Sequence, residues 1–540
     1  MPLHPAWVII LCRREEGVLA KKNLLKSGLV VSSATLLSRI LGLVRDVVIA
    51  DLLGAGMAAD VFFFANRIPN FFRRLFAEGA FNQAFVPVLA EYNQKDSHTT
   101  AEFISMVTGT LGFIVTIITV LGVLGSTVIS MIFGWGWYLD AQKTAEGAEK
   151  FELATLVLKI TFPYLWFITI TAVFSAVLNT KGRFAVPALT PCLLNLSTIA
   201  AALWVAPRLE TPVLGLAWGI FAGGAIQLLF QLPFIVNLRL LKTPKVRWND
   251  PGVAKIRTLM LPALFGVGVN QINLLVNTAL ASFLATGTIS YLYYSDRILE
   301  FPLGMFAVAI STVILPVLSR SKVSEDGGKF YRTADWAVRM VLLLGIPAMT
   351  GIIILREAII SVIFMHGSFS SSDAAMSSAS LFASATGLLS LMLVRVLAPC
   401  FYAIQDTRTP VRYGIYSMIS NIIFNLALIY PLGYLGLALS TVLSGTVNLI
   451  FLITGLHQRG IYRFESSTLL FGLKLLAASS IMGSALYFIT PHIADFESMS
   501  FAFRILWLAA MVAGGAVIYF ISGLLFGVRV RDLRVSESFD

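Results

Sequence analysis

Apolar stretches recur along the whole chain at lengths that suit membrane-spanning helices. About 20 consecutive apolar residues cross a bilayer as a helix. The pattern predicts fourteen such segments, centred near residues 40, 80, 118, 166, 195, 225, 270, 305, 350, 390, 420, 445, 478 and 515. A membrane β-barrel would instead show short segments of alternating polarity. The pattern therefore predicts an all-α integral membrane protein with fourteen transmembrane helices.

The composition agrees, because 57% of the 540 residues are hydrophobic and only 13% are charged, where soluble domains average roughly 25%. The net charge of +11 does not indicate nucleic acid, since the basic residues follow the connections between spans. Basic residues mark the cytoplasmic side, so we expect both termini in the cytoplasm. The basic connections hold Arg239, Lys242, Lys245, Arg247, Lys255 and Arg257, and Arg320, Lys322, Lys329 and Arg332; the opposite side holds Lys143, Lys150, Arg208 and Arg356.

The chain shows an internal repeat. "LGLAWGIFAGGAIQLLF", from Leu214, aligns with "LGLALSTVLSGTVNLIF", from Leu435, at a shift of 221, and Arg67 of "ANRIPNF" falls opposite Arg297 of "SDRILEF". Six helices in each half make the two copies parallel, and transporters place substrate where such halves meet. We expect an N-terminal lobe at 23–240, a C-terminal lobe at 241–460, and two extra helices with a cytoplasmic tail at 461–540.

The N-terminal residues and the cysteines show no sign of a functional site. Residues 1–22 carry an apolar run too short for a span and lack the basic-first order of a signal peptide, so we expect a disordered N-terminal extension. Cys12, Cys192 and Cys400 have no disulfide or metal spacing. Cys192 and Cys400 are expected to be small apolar residues in helices.

Charged residues cluster inside the predicted spans. Each costs about 2.5–3.5 kcal/mol at mid-bilayer on insertion scales, and arginine suits phosphate or carboxylate through two parallel hydrogen bonds. We therefore predict an anion site in a water-filled cavity. The alternative is that the charges pair to hold helices together or extend to the surface. The clusters are Arg39, Arg45 and Asp46 in helix 1, Asp60, Arg67, Arg73, Arg74 and Glu78 near helix 2, and Asp296, Arg297 and Glu300 in helix 8.

Spacing gives further expectations. Arg39 and Asp46 share a helix face, so their charges could partly cancel, while Arg45 points about 120° away. Pro69 should bend or break its helix. Lys159 and Arg395 match in position between the halves. The sequence has no HExxH, GxSxG or Walker motif, so drive is expected from an ion gradient or the membrane potential.

Three stretches closely resemble the MurJ (MviN) family of lipid II flippases in the MOP exporter superfamily: "SRILGLVRD", "GAGMAADVFFFANRIPNFFRRLFAEGAFNQAFVPVLAEY" and "YYSDRILEFP". The resemblance covers the chain after about Asn23. It implies two six-helix lobes around a central cationic cavity, and helices 13 and 14 forming a groove for the polyprenyl tail. It also implies translocation of lipid II from the inner to the outer leaflet of the bacterial cytoplasmic membrane by alternating access, for cell-wall synthesis.

The resemblance implies roles for individual residues but no catalytic ones. The substrate-binding residues would be Arg39, Arg45, Asp60, Arg73 and Arg297. The wider set expected to line the cavity is Asp46, Arg67, Arg74, Glu78, Ser290, Asp296, Glu300 and Arg395; some relatives have lysine in place of Arg395. No cofactor is expected. Some family members bind sodium between helices 7 and 11, so sodium or the membrane potential is the expected drive, and the sequence places no metal ligands.

The expected partners are lipid II, an undecaprenyl-pyrophosphate-linked muropeptide, and membrane lipids, without nucleic acid. We expect a monomer, with the cell-wall synthesis machinery as candidate protein partner. Two other interpretations stay open: a related exporter of lipid-linked oligosaccharide or drugs, and an enzyme acting on lipid-linked sugars. The two extra helices and the cationic cavity favour a large anionic lipid over the first. The second would have to use Asp296 or Glu300 as its acid.

Overall fold

The computed structural model of the chain describes residues 6–75, 80–94, 97–323, 327–491 and 493–529. These residues form helices and connections, with no β-strand among them, which confirms the all-α class. Ten helices in these ranges are long and apolar enough to cross a membrane, or eleven if the pair Ser371–Ala385 and Leu388–Ala403, bent by 45°, is one span. The count of fourteen stays a prediction.

The helices are, in chain order, α1 Ala6–Leu53, α2 Met57–Arg73, α3 Ala80–Asn93, α4 Ser97–Leu124, α5 Ser126–Phe133, α6 Trp135–Ala141, α7 Ala145–Thr161, α8 Tyr164–Thr180, α9 Ala185–Ala200, α10 Pro212–Asn237, α11 Pro251–Ala281, α12 Thr288–Pro302, α13 Val308–Val323, α14 Gly327–Phe364, α15 Ser371–Ala385, α16 Leu388–Ala403, α17 Arg408–Leu432, α18 Tyr434–Gln458, α19 Ser466–Ile489, α20 Ile493–Ser498 and α21 Phe501–Leu525. Single π-helical turns continue α9 through Ala201–Val205 and α12 through Leu303–Ala307. Such turns adjust a helix locally without ending it.

The prediction that Pro69 bends or breaks its helix is wrong as far as a break is concerned, because α2 runs through Pro69 to Arg73. Proline removes one backbone hydrogen bond from a helix. A side-chain bond spans the same turn: Asn70 Nδ2 donates to the carbonyl of Asn66 at 2.9 Å. The amide therefore supports the turn that the proline weakens.

The described structure contains two compact units. Unit 1 comprises Met1–Ile49, Ala65–Ile129 and Leu153–Val267. Its helices α9 and α10 approach closely at small residues: a Cβ added to Gly219 would lie 2.5 Å from the Cβ of Ala201. Buried amides also join these helices, since Gln231 Nε2 donates to Thr190 Oγ1 at 2.8 Å. Close approach at small residues is a common way for membrane helices to pack.

Unit 2 comprises Ala50–Phe64, Ser130–Glu152 and Gly268–Asp540. Its first two segments come from the first half of the sequence repeat, yet they pack with residues of the second half. The Phe63 ring stacks on Tyr293 with centroids 3.8 Å apart, and the Ser368 N–H donates to the Asp51 carbonyl at 2.8 Å. The lobe boundaries inferred from the repeat stay predictions.

The extra C-terminal helices α19 and α21 belong to unit 2 and pack on α14. Their shared core contains Ile346, Leu355, Phe471, Leu475, Ala478, Met482, Leu486 and Tyr519. Tyr519 donates its hydroxyl to the Leu343 carbonyl at 2.8 Å, which satisfies the polar end of a buried ring. Cys192 and Cys400 are buried and unbridged, as expected for small apolar residues.

Candidate functional site

Arg39 lies on an apolar stretch of α1 with its side chain exposed, as are its neighbours Leu36, Leu37 and Ile40. With the residues that the structure describes, its guanidinium makes no hydrogen bond or ion pair. Arginine stays charged under all physiological conditions and offers five N–H donors. Arg39 therefore has the donors needed to bind an anion.

Arg45 is held in a fixed orientation. Its Nε and Nη2 donate to Asp46 Oδ1 at 3.0 and 2.7 Å, and its Nη1 donates to Asn195 Oδ1 at 3.1 Å. The expected compensation of Asp46 by Arg39 is wrong, because Asp46 pairs with Arg45. Adjacent helical residues do not normally face each other, but the long arginine side chain reaches back to the buried carboxylate.

Asp60 is 1% exposed in the first turn of α2, and its carboxylate accepts hydrogen bonds from the start of α12. Oδ1 accepts from the Ser290 N–H and hydroxyl at 2.9 and 2.8 Å, and Oδ2 accepts from the Gly287 N–H at 2.7 Å. Lys150 Nζ donates to Oδ2 at 3.4 Å. In this conformation the carboxylate is satisfied by protein groups, and its substrate contact stays a prediction.

Gly287 is the N-cap residue of α12 and has φ of 97°. Glycine adopts such left-handed backbone freely. A Cβ here would also lie 2.6 Å from the Tyr291 ring and 2.8 Å from the Ala55 carbonyl oxygen. Because glycine has no side chain to cap the helix, the Asp60 carboxylate takes that role from another helix.

The other charged residues of the prediction lie on or directly after α2 and on α7, α12 and α16. Arg73 donates from Nε to Asn70 Oδ1 at 3.0 Å, and Arg297 Nη1 donates to Glu300 Oε2 at 3.1 Å. Glu78 lies outside the described residues. Arg67 is half-buried, whereas the side chains of Arg74, Asp296, Glu300, Arg395 and Lys159 are exposed.

The sequence interpretation missed Lys150 as a partner of Asp60 and Asn195 as a partner of Arg45. Lys150 contributed only to the charge asymmetry of the connections, and Asn195 is an ordinary polar residue of an apolar helix. They reach Asp60 and Arg45 across 90 and 150 residues of chain. No local spacing pattern could reveal contacts between such distant positions.

The contact between predicted helices 7 and 11, which are α11 and α17, consists of neutral amides where their side chains are described. Asn425 Nδ2 donates to Asn277 Oδ1 at 2.7 Å and to Asn421 Oδ1 at 2.8 Å. The N–H groups thus occupy oxygens that a cation would need. Among the described residues no group of three His, Cys, Asp or Glu could hold a metal. The described side chains of this contact include no carboxylate that would balance the charge of a sodium ion, although Asn425 Oδ1 is buried without a hydrogen-bond partner.

Comparisons with known proteins agree with one another. The family model described as "Lipid II flippase MurJ" matches residues 49–507. A probable lipid II flippase MurJ of Vibrio cholerae is 53% identical over 520 residues, covering 96% of this chain and 99% of that protein. A lipid II flippase MurJ of Burkholderia cenocepacia is 36% identical over 470 residues, covering 86% and 90%.

Solved structures give the same result. The chain is similar to a structure of lipid II flippase MurJ in an inward closed conformation, with 29% identity, a TM-score of 0.77, and coverage of 94% of this chain and 99% of that one. A MATE family multidrug transporter of the MOP superfamily, at 13% identity and a TM-score of 0.66, covers 80% and 97% and shares the fold. The chain is therefore a member of the MurJ family of lipid II flippases.

Proposed function

We propose that this protein moves lipid II from the inner to the outer leaflet of the bacterial cytoplasmic membrane by alternating access, and that it catalyses no chemical reaction. The observation that carries the proposal is Arg39, an exposed guanidinium on an apolar helix with no bond to a described residue. The pyrophosphate of lipid II is an anion of matching geometry. Drug export is not favoured, because the MATE likeness rests on fold at 13% identity.

The two arginines of α1 have different tasks in this proposal. Arg39 binds the pyrophosphate directly, because its donors are available. Arg45 is fixed by Asp46 and Asn195 and holds its positive charge in a constant orientation for the passing head group. Fixed donors lose less entropy on binding than mobile ones. Arg73 and Arg297 bind the peptide carboxylates at other stages of the passage.

The charge pattern supports a topology with both termini in the cytoplasm. The groove for the undecaprenyl tail is assigned to α19 and α21, whose outward faces carry exposed apolar side chains such as Leu473, Leu506 and Phe520. A lipid tail can stay among such side chains while the head group crosses. The protein acts as a monomer beside the cell-wall synthesis machinery.

The membrane potential, rather than a sodium gradient, is the proposed drive. The amide contact between α11 and α17 supports it, because the Asn425 N–H groups already occupy Asn277 Oδ1 and Asn421 Oδ1. Moving one elementary charge through 100 mV supplies about 2.3 kcal/mol. That energy suffices to bias a transport cycle in which an anionic head group moves outward.

Replacing Arg39 by alanine tests the proposal. Loss of a charge-assisted hydrogen bond costs about 1.5–3 kcal/mol, so Arg39→Ala should lower lipid II translocation by about tenfold or more and fail to support growth of flippase-depleted cells. Translocation is measured as exposure of lipid II at the outer face. The control is Arg183→Ala, which removes an exposed arginine from the α8–α9 turn and should leave growth normal. Normal growth with Arg39→Ala would refute the assigned role.

A further inference from the structure

Lys150 of α7 is a buried cation whose partners all belong to unit 2. Its side chain is 7% exposed, and Nζ lies 3.4 Å from Asp60 Oδ2. Nζ also donates to Thr286 Oγ1 at 3.1 Å and lies 4.5 Å from the centroid of the Trp137 ring. A buried ammonium is tolerated only where such groups replace its water.

Lys150 and Asp60 hold the same turn of chain from two sides. Thr286 directly precedes Gly287, whose N–H donates to Asp60. Lys150 therefore binds both the carboxylate and the residue next to the backbone group that the carboxylate caps. The three-way contact joins α7, α2 and the start of α12.

Further contacts close around this turn. The Gly136 N–H donates to Ser282 Oγ at 3.0 Å, and Tyr294 donates its hydroxyl to the Gly54 carbonyl at 3.0 Å. All connect segments 50–64 and 130–152 with α11, α12 or the residues between them. Lys143 and Lys150 belong to the side of the membrane predicted to be external.

We propose that Lys150 is a positioning residue that keeps this external face closed by holding the Asp60 carboxylate on the first turn of α12. The proposal rests on the proposed function, because alternating access requires a contact that is stable while one face is shut and can be released. When the face opens, water solvates both charges. When it is shut, each charge compensates the other.

This arrangement makes a sharp prediction about charge. A buried ion pair is often worth little compared with two neutral groups, whereas removal of one partner strands the other without compensation. Lys150→Met should therefore favour the open state, in which Asp60 is hydrated. Asp60→Asn should also favour the open state, because it leaves the Lys150 ammonium without its carboxylate. Removing both charges should restore most of the closed population, because the amide oxygen at position 60 can still accept from the Ser290 N–H and hydroxyl and no charge is left uncompensated.

The test measures exposure of Ala55, which is 1% exposed and whose carbonyl faces Gly287. In a chain with Cys12, Cys192 and Cys400 replaced by alanine, Ala55→Cys is labelled with a membrane-impermeant maleimide in right-side-out vesicles. Lys150→Met should raise the labelling rate about tenfold. The double variant Lys150→Met, Asp60→Asn should return to within about threefold of the parent.

The matched control is Lys143→Met, which removes an exposed lysine from the same side of the chain and should not change labelling. Labelling of Lys150→Met at the parental rate would overturn the proposal. So would a double variant labelled as fast as Lys150→Met, because the faster labelling would then not come from an uncompensated Asp60 carboxylate. The vesicles need no lipid II. If the parent protein did not translocate lipid II but the variants still showed this labelling pattern, the proposed function would be contradicted. The closing role of Lys150 would still be supported.

Discussion

Asn195 and Asp46 together orient the Arg45 guanidinium. Its Oδ1 accepts from Arg45, and its Nδ2 donates to the Ser38 carbonyl at 3.1 Å. Asn195→Ala removes both bonds and leaves Arg45 with greater rotational freedom, so lipid II translocation should fall several-fold through the entropy of ordering the side chain. Translocation per amount of membrane protein is the measurement.

Asn195→Asp separates the two bonds. It keeps an acceptor for Arg45 but loses the donor to Ser38, and it should retain more activity than Asn195→Ala if arginine orientation matters. Equal losses in both variants would instead assign the effect to the contact between α9 and α1. Full activity of Asn195→Ala would show that Arg45 needs no fixed orientation.

Sequence alone predicted the charged residues of the site better than their partners. An apolar span that carries Arg39, Arg45 and Asp46 is conspicuous, because each charge there has a large desolvation cost. Which arginine compensates Asp46 was not predictable from helix angles, since a long side chain can turn back along its own helix. The Asp60 contact with Gly287 and Ser290 depends on tertiary packing, for which a single sequence has no signal.

At the scale of elements, Asp335 anchors the first of the two extra helices to α14. Its carboxylate accepts from Thr468 Oγ1 at 2.7 Å, from Tyr462 Oη at 3.1 Å and from Arg339 Nε at 2.7 Å. Thr468 lies in the first turn of α19, so one carboxylate fixes where that helix begins. The side chain is only 11% exposed, and its bonds are therefore weakly screened by solvent.

Asp335→Ala should lower the free energy of unfolding by about 3 kcal/mol, because it leaves Arg339 without its carboxylate and two hydroxyls without an acceptor. Thermal unfolding in detergent and hydrogen exchange of α19 measure the loss. Arg332→Ala, which removes an exposed side chain from the same helix, should change stability by less than about 0.5 kcal/mol. A similar small change for Asp335→Ala would show that α19 is held by apolar packing alone.

The elements themselves were largely predictable, since long apolar helices follow directly from the requirement that backbone groups in a bilayer bond internally. The capping box at Ser370 and Asp373, in which both reciprocal bonds form, also has a local pattern. Continuation of α2 through Pro69 was not predictable, because it accompanies the bond from Asn70 to Asn66. The general rule that proline breaks helices does not take the Asn70 side chain into account.

At the scale of the whole molecule, the repeat and the compact units convey different information. The repeat records that two halves of the sequence are alike, and it places residues 50–64 and 130–152 in the first half. Packing places them in unit 2 with Gly268–Asp540. Sequence similarity reflects the duplication, whereas the compact units reflect which segments pack together in this structure, so the units could not be predicted from the repeat.

The energy source of transport is also a property of the whole molecule. Because neutral amides link α11 to α17, sodium should not bind there. A ligand that binds the folded state raises its stability by RT ln(1 + [L]/Kd). We expect the melting temperature in detergent to be the same in sodium and in potassium chloride at equal ionic strength. Translocation in vesicles should respond to the membrane potential and not to the sodium gradient.

Asn425→Asp tests whether sodium fails to bind between α11 and α17 because this contact has no carboxylate. It replaces the amide donors with two acceptor oxygens beside Asn277 Oδ1 and Asn421 Oδ1, which is the ligand type that hard cations prefer. We expect this variant to gain a melting temperature that rises with sodium concentration, while Asn448→Asp, on α18, gains none. A sodium-dependent shift in the unaltered protein would contradict the assignment, because the amide contact would then have to open and admit the ion.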